Sequence, residues 1–122
     1  MPVVRRILIA DDHAAVRNGI RSLLEPWPQM QVVAEAANGF EALEVALSTV
    51  PDIAIMDLSL PGVPGLELIA AIKRALPDTQ ILVFTMYRSE ELVREALRAG
   101  ASFYVVKGDP ASDLLAAVMN CR

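Results

Sequence analysis

Carboxylate, hydroxyl and amine side chains stand at the ends of four short apolar runs in this sequence. Asp11 and Asp12 follow RRILIA, Asp57 ends DIAIMD, Thr85 ends QILVFT and Lys107 ends SFYVVK. Three carboxylates in one pocket repel one another, by about 4 kcal/mol per pair at a separation of about 4 Å and an effective dielectric of about 20, so a cation must join them. Oxygen ligands without histidine or cysteine select a hard divalent ion, and a few carboxylates with room for water suit Mg²⁺.

The charges of such a pocket balance if Lys107 joins it, because three carboxylates, one Mg²⁺ ion and one ammonium group sum to zero. This arrangement suits transfer of a phosphoryl group to Asp57, since that reaction depends mainly on positioning and on neutralising the charge of the transferred oxygens. The modified carboxylate would carry new acceptor oxygens, and Thr85 is placed to donate its hydroxyl to them.

Each of these residues also has a purely structural interpretation. Asp12 alone would cap the following helix more often than it would bind a metal, and Asp57 before LSLPG would form a turn. Thr85 would be a β-branched strand residue and Lys107 a solvated strand end. The joint pattern favours the chemical interpretation, because four independent coincidences would otherwise fall on the carboxyl ends of four strands.

Five apolar runs, too short for helices, predict the strands that position these residues, and the segments between and after them have helical apolar spacing. The runs cover residues 5–10, 31–36, 52–57, 80–85 and 102–107. Strand and helix alternate five times, which predicts an α/β fold: a flavodoxin-like (βα)5, doubly wound parallel sheet with helices on both faces. In the order 2-1-3-4-5 the first and third strands are neighbours, and their aspartates meet at the edge where such sheets bind ligands.

The helix ends are predicted from residues that are typical of caps. Asn38 and Ser89 are placed to cap the second and fourth helices, and Gly100 is placed to end the fourth. Asp109 followed by Pro110 predicts an N-cap with proline at the first position of the fifth helix.

Composition excludes several classes of protein. The hydrophobic share of 54% and the mean hydropathy of +0.41 suggest strands buried on both faces, while the longest apolar run, LLAAVM, is far shorter than the roughly 20 residues of a membrane span. No signal peptide is recognisable and Cys121 is the single cysteine, so we expect a cytoplasmic protein without a disulfide or membrane contact. The net charge of -4 argues against direct nucleic-acid contact by this segment.

The segments ILIADDH, IAIMDLSLPGVPGLEL, ILVFT and GASFYVVKGD, in this order, resemble the receiver domain of bacterial two-component response regulators. The resemblance extends over nearly the whole chain. It implies that Asp11 and Asp12 bind Mg²⁺, with Mn²⁺ as a substitute, and that Asp57 accepts phosphate from a sensor histidine kinase. It further implies that Thr85 and Lys107 complete the site.

The resemblance also implies a further metal ligand and a switch. The backbone carbonyl of Ser59 corresponds to a further metal ligand, and Ser59 and Tyr87 flank the acyl phosphate, where they would tune its hydrolysis. Movement of Thr85 toward the phosphoryl group is coupled to an inward turn of an aromatic residue, which corresponds to Tyr104. The output face, and a homodimer contact, would be the fourth helix, fifth strand and fifth helix, with the first and fifth helices as the alternative dimer contact.

The pairing of DDH with YVVKGD resembles the LuxR-type subclass, whose members usually carry a C-terminal helix-turn-helix domain. We therefore expect residues 1–122 to form the receiver and a DNA-binding output domain to follow in the intact protein. One departure is Gly108, which stands where many receivers have a proline directly after the lysine. His13 is interpreted as a structural or tuning residue, since the phosphodonor in this family is the histidine of the kinase.

Three other functions remain open on the sequence. An aspartate-nucleophile, Mg²⁺-dependent phosphohydrolase also uses a carboxylate at a strand end, but its nucleophile typically lies on the first strand in a D-x-D pattern, whereas Asp11 and Asp12 are adjacent. A stand-alone phosphorelay receiver would have no DNA-binding output. A nucleotide- or flavin-binding domain would need a glycine after the first strand, where DDHAAV has none.

Overall fold

Five strands alternate with five helices in this computed structural model, which describes residues 3–121. The strands are β1 (Arg5–Ala10), β2 (Met30–Ala36), β3 (Ile53–Met56), β4 (Gln80–Thr85) and β5 (Phe103–Val106), and the helices are α1 (Ala14–Leu24), α2 (Gly39–Thr49), α3 (Gly65–Ala75), α4 (Glu90–Ala99) and α5 (Ala111–Asn120). All strand pairs are parallel, in the order β2-β1-β3-β4-β5. The predicted alternation, parallel sheet and strand order are confirmed.

The sheet is buried on both faces, which explains the continuous apolar runs in its strands. Ile7 and Ile9 of β1 pack with α1 and α5 on one face. Leu8 and Ala10 of the same strand pack with α2, α3 and α4 on the other. Every residue of β3 is buried, as expected for the central strand of a doubly wound sheet. No helix within residues 3–121 combines the length and the apolar character needed to cross a bilayer.

Most of the predicted helix ends are confirmed. The Asn38 side chain accepts from the Glu41 N–H at 2.8 Å, and the Ser89 hydroxyl accepts from the Leu92 N–H at 3.2 Å. Gly100 ends α4 with a φ of 126°, a conformation that glycine adopts without the steric cost of a Cβ.

The predicted cap of α5 is wrong. Pro110 has an extended backbone and is itself the N-cap, so α5 begins at Ala111 and Asp109 lies outside the helix. The Asp109 carboxylate accepts instead from the guanidinium of Arg88, in the segment between β4 and α4. The Asp109 carboxylate therefore pairs with Arg88 and does not form the α5 cap that the sequence pattern predicts.

Cys121 lies directly after α5 and is buried, with 4% of the residue exposed. Burial raises the pKa of its thiol to about 11, so the thiol stays protonated at neutral pH. A buried, protonated thiol is a poor nucleophile, so we expect Cys121 to be unreactive.

Candidate functional site

Asp11 and Asp57 meet at the carboxyl edge of the sheet because β1 and β3 are parallel neighbours. Ala10 pairs with Met56, and the Asp57 N–H donates to the Ala10 carbonyl at 3.1 Å. Asp57 is the first residue after β3, which ends one residue earlier than the sequence predicted. Only 2% of Asp11 and 3% of Asp57 are exposed. The strand register therefore brings two buried carboxylates to one point.

Lys107 reaches the same point from the far side of β4. Its backbone N–H donates to the carbonyl of Thr85 at 2.8 Å, which places it just beyond the paired ends of β4 and β5. The Lys107 ammonium donates to Asp11 Oδ2 and to Asp57 Oδ2, both at 2.7 Å. With 10% of its side chain exposed, Lys107 is a largely buried cation that contacts both acids.

These contacts keep both partners charged at neutral pH. Burial by itself raises the pKa of Asp57, but hydrogen bonds from the Lys107 ammonium and the Ser59 N–H bring it below its ordinary value of 3.8. Burial likewise opposes the charge on Lys107, but Asp11 and Asp57 raise the pKa of this lysine above its ordinary value of 10.5. Asp57 is thus an ionised, buried carboxylate with a cation beside it.

Asp12 and His13 lie on the exposed side of this cluster. The Asp12 side chain is 36% exposed, and His13 Nδ1 lies 3.1 Å from Asp12 Oδ1 and 3.3 Å from Asp11 Oδ1. The His13 N–H also donates to Asp11 Oδ1 at 2.9 Å. Ligand atoms of these three residues fall within 4.8 Å of one another, which is close enough to hold a metal ion. The sequence did not predict that the imidazole would lie against both acids.

Thr85 is the last residue of β4, and Tyr104 lies in the neighbouring strand β5, paired with Val83. Thr85 is fully buried, and within residues 3–121 its hydroxyl has no partner that meets hydrogen-bond geometry. Its proximity nevertheless contributes to lowering the pKa of Asp57, after burial, Lys107 and Ser59. The Tyr104 hydroxyl donates to the carbonyl of Tyr87 at 2.5 Å. A buried hydroxyl group therefore lies near the Asp57 carboxylate, and the Tyr104 side chain is hydrogen-bonded to the segment between β4 and α4.

The two residues predicted to flank the entrance, Ser59 and Tyr87, are both exposed. Ser59 belongs to the loop between β3 and α3, which turns sharply back to start the helix. A Cβ at Gly65 would lie 2.5 Å from the carbonyl oxygen of Leu58, so only glycine fits where α3 begins. This close approach explains why the first residue of α3, directly after Pro64, is a glycine.

Two ion pairs next to the site have no signal in the sequence. The Arg88–Asp109 pair joins the loop before α4 to the loop before α5. Arg17 of α1 pairs with Glu35 of β2 and also donates to the backbone carbonyl of Asp11. Long arginine side chains cross between elements here, and their partners depend on how those elements pack.

A family model described as the response regulator receiver domain matches residues 7–119. The chain belongs to this family. The oxygen regulatory protein NreC of Staphylococcus haemolyticus (strain JCSC1435) is 46% identical over 114 residues, which cover 93% of this receiver and 52% of NreC. The chain thus spans about half the length of the curated relatives it matches.

Solved structures give the same assignment for this receiver. A LuxR-family two-component response regulator from Aurantimonas sp. SI85-9A1 is 41% identical with a TM-score of 0.90, over 95% of this chain and 83% of that one. RcsB of Salmonella enterica serovar Typhimurium, bound to promoter rprA in the presence of phosphomimetic BeF3-, is 32% identical with a TM-score of 0.88, over 96% of this chain and 67% of that one. The chain is therefore a receiver domain of the LuxR type, a signalling domain and not a classical enzyme.

The residues of this receiver fit the divalent cation that its family binds at an acidic cluster. Every carboxylate donor offers the hard oxygen atoms that Mg²⁺ prefers. The partly exposed Asp12 leaves room for the water ligands that Mg²⁺ usually retains. Asp11 and Asp12 would supply carboxylate oxygens to such an ion, and the ion would neutralise negative charge at the site.

Proposed function

We propose that this receiver accepts a phosphoryl group on Asp57 from a sensor histidine kinase, in a reaction that requires Mg²⁺ or Mn²⁺. The observation that carries the proposal is the pair of 2.7 Å hydrogen bonds from Lys107 to the buried carboxylates of Asp11 and Asp57. A buried carboxylate beside a fixed cation remains ionised and nucleophilic, and the cation is already in place to stabilise the added negative charge.

The proposed transfer balances without any further reactant. An Asp57 carboxylate oxygen attacks phosphorus, the bond from phosphorus to the imidazole nitrogen of the kinase breaks, and the imidazole leaves with the electron pair. Lys107 would then donate to a phosphoryl oxygen, and Asp11 and Asp12 would hold the metal ion. The Ser59 carbonyl is the proposed additional metal ligand, and its location two residues after Asp57 supports this role.

Phosphorylation is tested with a small phosphodonor. With Mg²⁺ and acetyl phosphate, we expect intact-mass spectrometry to detect one labile phosphoryl group per chain, and EDTA to prevent its formation because the acids then lack their cation. Sustained release of phosphate from many phosphate esters would instead indicate an aspartate-nucleophile phosphohydrolase. The same samples followed over time give the rate of autodephosphorylation, which we propose is tuned by the exposed Ser59 and Tyr87.

We further propose that Thr85 and Tyr104 couple the phosphoryl group to the output face, which consists of α4, β5 and α5. The unpartnered Thr85 hydroxyl gains an acceptor when Asp57 carries phosphoryl oxygens, and its movement draws the β4–α4 segment toward the site. The carbonyl of Tyr87 moves with that segment, so Tyr104 loses its hydrogen bond and turns.

Replacement of Thr85 by alanine tests this coupling. We expect Thr85→Ala to bind beryllofluoride with Mg²⁺ but to lose the NMR shift of the Tyr104 ring that accompanies binding in the wild type. Thr49→Ala is the matched control, since the Thr49 hydroxyl donates within its own helix to Val45 O. A full Tyr104 response in Thr85→Ala would remove this hydroxyl from the switch.

The whole protein is proposed to be a cytoplasmic transcription regulator that carries a C-terminal helix-turn-helix domain and dimerises through the output face or through α1 and α5. This is supported by the match to only 52% of NreC and by the promoter-bound structure of RcsB. Reading the gene beyond Arg122 tests the proposal, because absence of a helix-turn-helix coding region would favour a stand-alone phosphorelay receiver.

A further inference from the structure

Arg17 connects the edge of the sheet to the peptide that carries the acidic pair. Its Nη1 donates to the carbonyl oxygen of Asp11 at 2.6 Å, and its Nε donates to Glu35 Oε1 at 2.9 Å. Only 20% of the Arg17 side chain and 27% of the Glu35 side chain are exposed. The guanidinium therefore forms a largely buried bridge from β2 to the loop between β1 and α1.

This bridge completes the polar contacts of Asp11. The Asp11 N–H donates to the Ala36 carbonyl at 3.0 Å, and its two carboxylate oxygens accept from the His13 N–H and from the Lys107 ammonium. The Arg17 bond engages the remaining polar atom, the backbone carbonyl. Asp12 is attached to that same peptide unit, so the orientation of the Asp11 carbonyl sets the direction in which the Asp12 side chain leaves the backbone.

Arg21 provides an internal comparison for this role. It lies one helical turn after Arg17 and pairs through Nε with the other oxygen of Glu35. Arg21 is more exposed, at 47% of its side chain, and its contact is with Glu35 and not with Asp11. Two arginines of like charge thus hold one carboxylate, but only Arg17 continues to the acidic pair.

We infer that Arg17, anchored by Glu35, is a positioning residue for the divalent cation: it fixes the Asp11–Asp12 peptide so that both carboxylates are presented to one ion. The inference rests on the proposed function, because it concerns the same metal site. We expect Arg17 to act by geometry and not by charge, because its planar guanidinium bonds both Glu35 and the Asp11 carbonyl, and a lysine at this position has no such fork. Removal of a group that orients metal ligands in this way typically weakens metal binding by about 10- to 100-fold.

The test uses Arg17→Met, which retains the apolar stem, Arg17→Lys, which retains the charge, and Arg21→Met as the matched control. Isothermal calorimetry with Mg²⁺ alone is expected to show weakening of about 10- to 100-fold in both Arg17 variants and less than about twofold in Arg21→Met. In Mg²⁺-free buffer, amide hydrogen exchange at Asp11 and His13 is expected to accelerate in the Arg17 variants only. At saturating Mg²⁺ the Arg17 variants should take up beryllofluoride to the wild-type extent.

Circular dichroism first establishes that each variant is folded, and Arg17→Lys remains informative if Arg17→Met is not. Wild-type affinity in Arg17→Lys would overturn the inference, because charge alone would then suffice. Equal weakening in Arg17→Met and Arg21→Met would also overturn it, since the effect would belong to the shared Glu35 pair. Failure of the wild type to bind Mg²⁺ at all would instead overturn the proposed function, so the two failures are distinguishable.

Discussion

Asp57→Asn is expected to abolish phosphorylation while the fold is retained. Asparagine has nearly the same shape as aspartate and can still pack under Lys107, but its amide is neutral and does not form an acyl phosphate. The expected measurement is a complete loss of the mass increase that acetyl phosphate and Mg²⁺ produce in the wild type. Asp113→Asn, an exposed substitution in the first turn of α5, is the matched control and should be modified normally.

The choice of Asp57 over the other acids follows from its surroundings. Asp57 accepts hydrogen bonds from both the Lys107 ammonium and the Ser59 N–H, and the nearby Thr85 hydroxyl also helps to lower its pKa. Asp12 is more exposed, and the side chain beside it is the His13 imidazole, whereas the Lys107 ammonium contacts Asp11 and Asp57. Normal phosphorylation of Asp57→Asn would contradict this assignment. The acceptor would then be Asp11 or Asp12, at the end of β1, and not Asp57 at the end of β3.

The convergence of the site could be predicted because it depends on topology. Once the apolar runs are read as parallel strands, their carboxyl ends must lie at one edge, and the order of the strands decides which acids are neighbours. Asp11, Asp57 and Lys107 meet there as expected. β3 and β5 end one residue earlier than the apolar runs suggested, because Asp57 and Lys107 turn toward the pocket where the paired strands stop.

Contacts made by long side chains could not be predicted in the same way. The sequence pattern predicted that Asp109 would cap α5, whereas in the structure its carboxylate accepts a hydrogen bond from Arg88. Nothing in the spacing of Arg17 and Glu35 shows that the guanidinium reaches the Asp11 carbonyl, because that contact requires α1 to lie across β1 and β2 at one distance and angle. Such contacts depend on the docking of whole elements, which local patterns do not encode.

Lys107→Met is expected to destabilise the Mg²⁺-free protein by about 3 kcal/mol, because it leaves two buried carboxylates without their shared cation. Chemical unfolding in EDTA measures this loss. Lys73→Met is the matched control: the Lys73 ammonium donates at 3.0 Å to the Thr79 carbonyl, so this variant loses a hydrogen bond and leaves no buried charge unpaired. Equal losses in the two variants would contradict the proposed electrostatic role of Lys107.

The acid dependence of stability should also change in Lys107→Met. In the wild type the lowered pKa of Asp57 contributes stability that is fully present above its ordinary value of 3.8 and is lost as the pH falls through the lowered pKa. The raised pKa of Lys107 contributes stability that is present below 10.5 and is lost as the pH rises through the raised pKa. Without the ammonium, burial opposes the charge on Asp57 with less compensation, so its pKa rises, and acidification below pH 3.8 should destabilise the variant less than it destabilises the wild type.

Mg²⁺ should restore more stability to Lys107→Met than it adds to the wild type. The ion and the ammonium neutralise the same carboxylates, so loss of one increases the electrostatic benefit of the other. A ligand present at 100 times its dissociation constant stabilises a folded protein by about 2.7 kcal/mol, which is comparable to the expected loss. Titration of Mg²⁺ into both proteins, with the unfolding midpoint followed at each concentration, measures the difference. If Mg²⁺ raises the unfolding midpoint equally in both proteins, Lys107 and the cation act on separate groups. The proposal that both neutralise Asp11 and Asp57 would then be wrong.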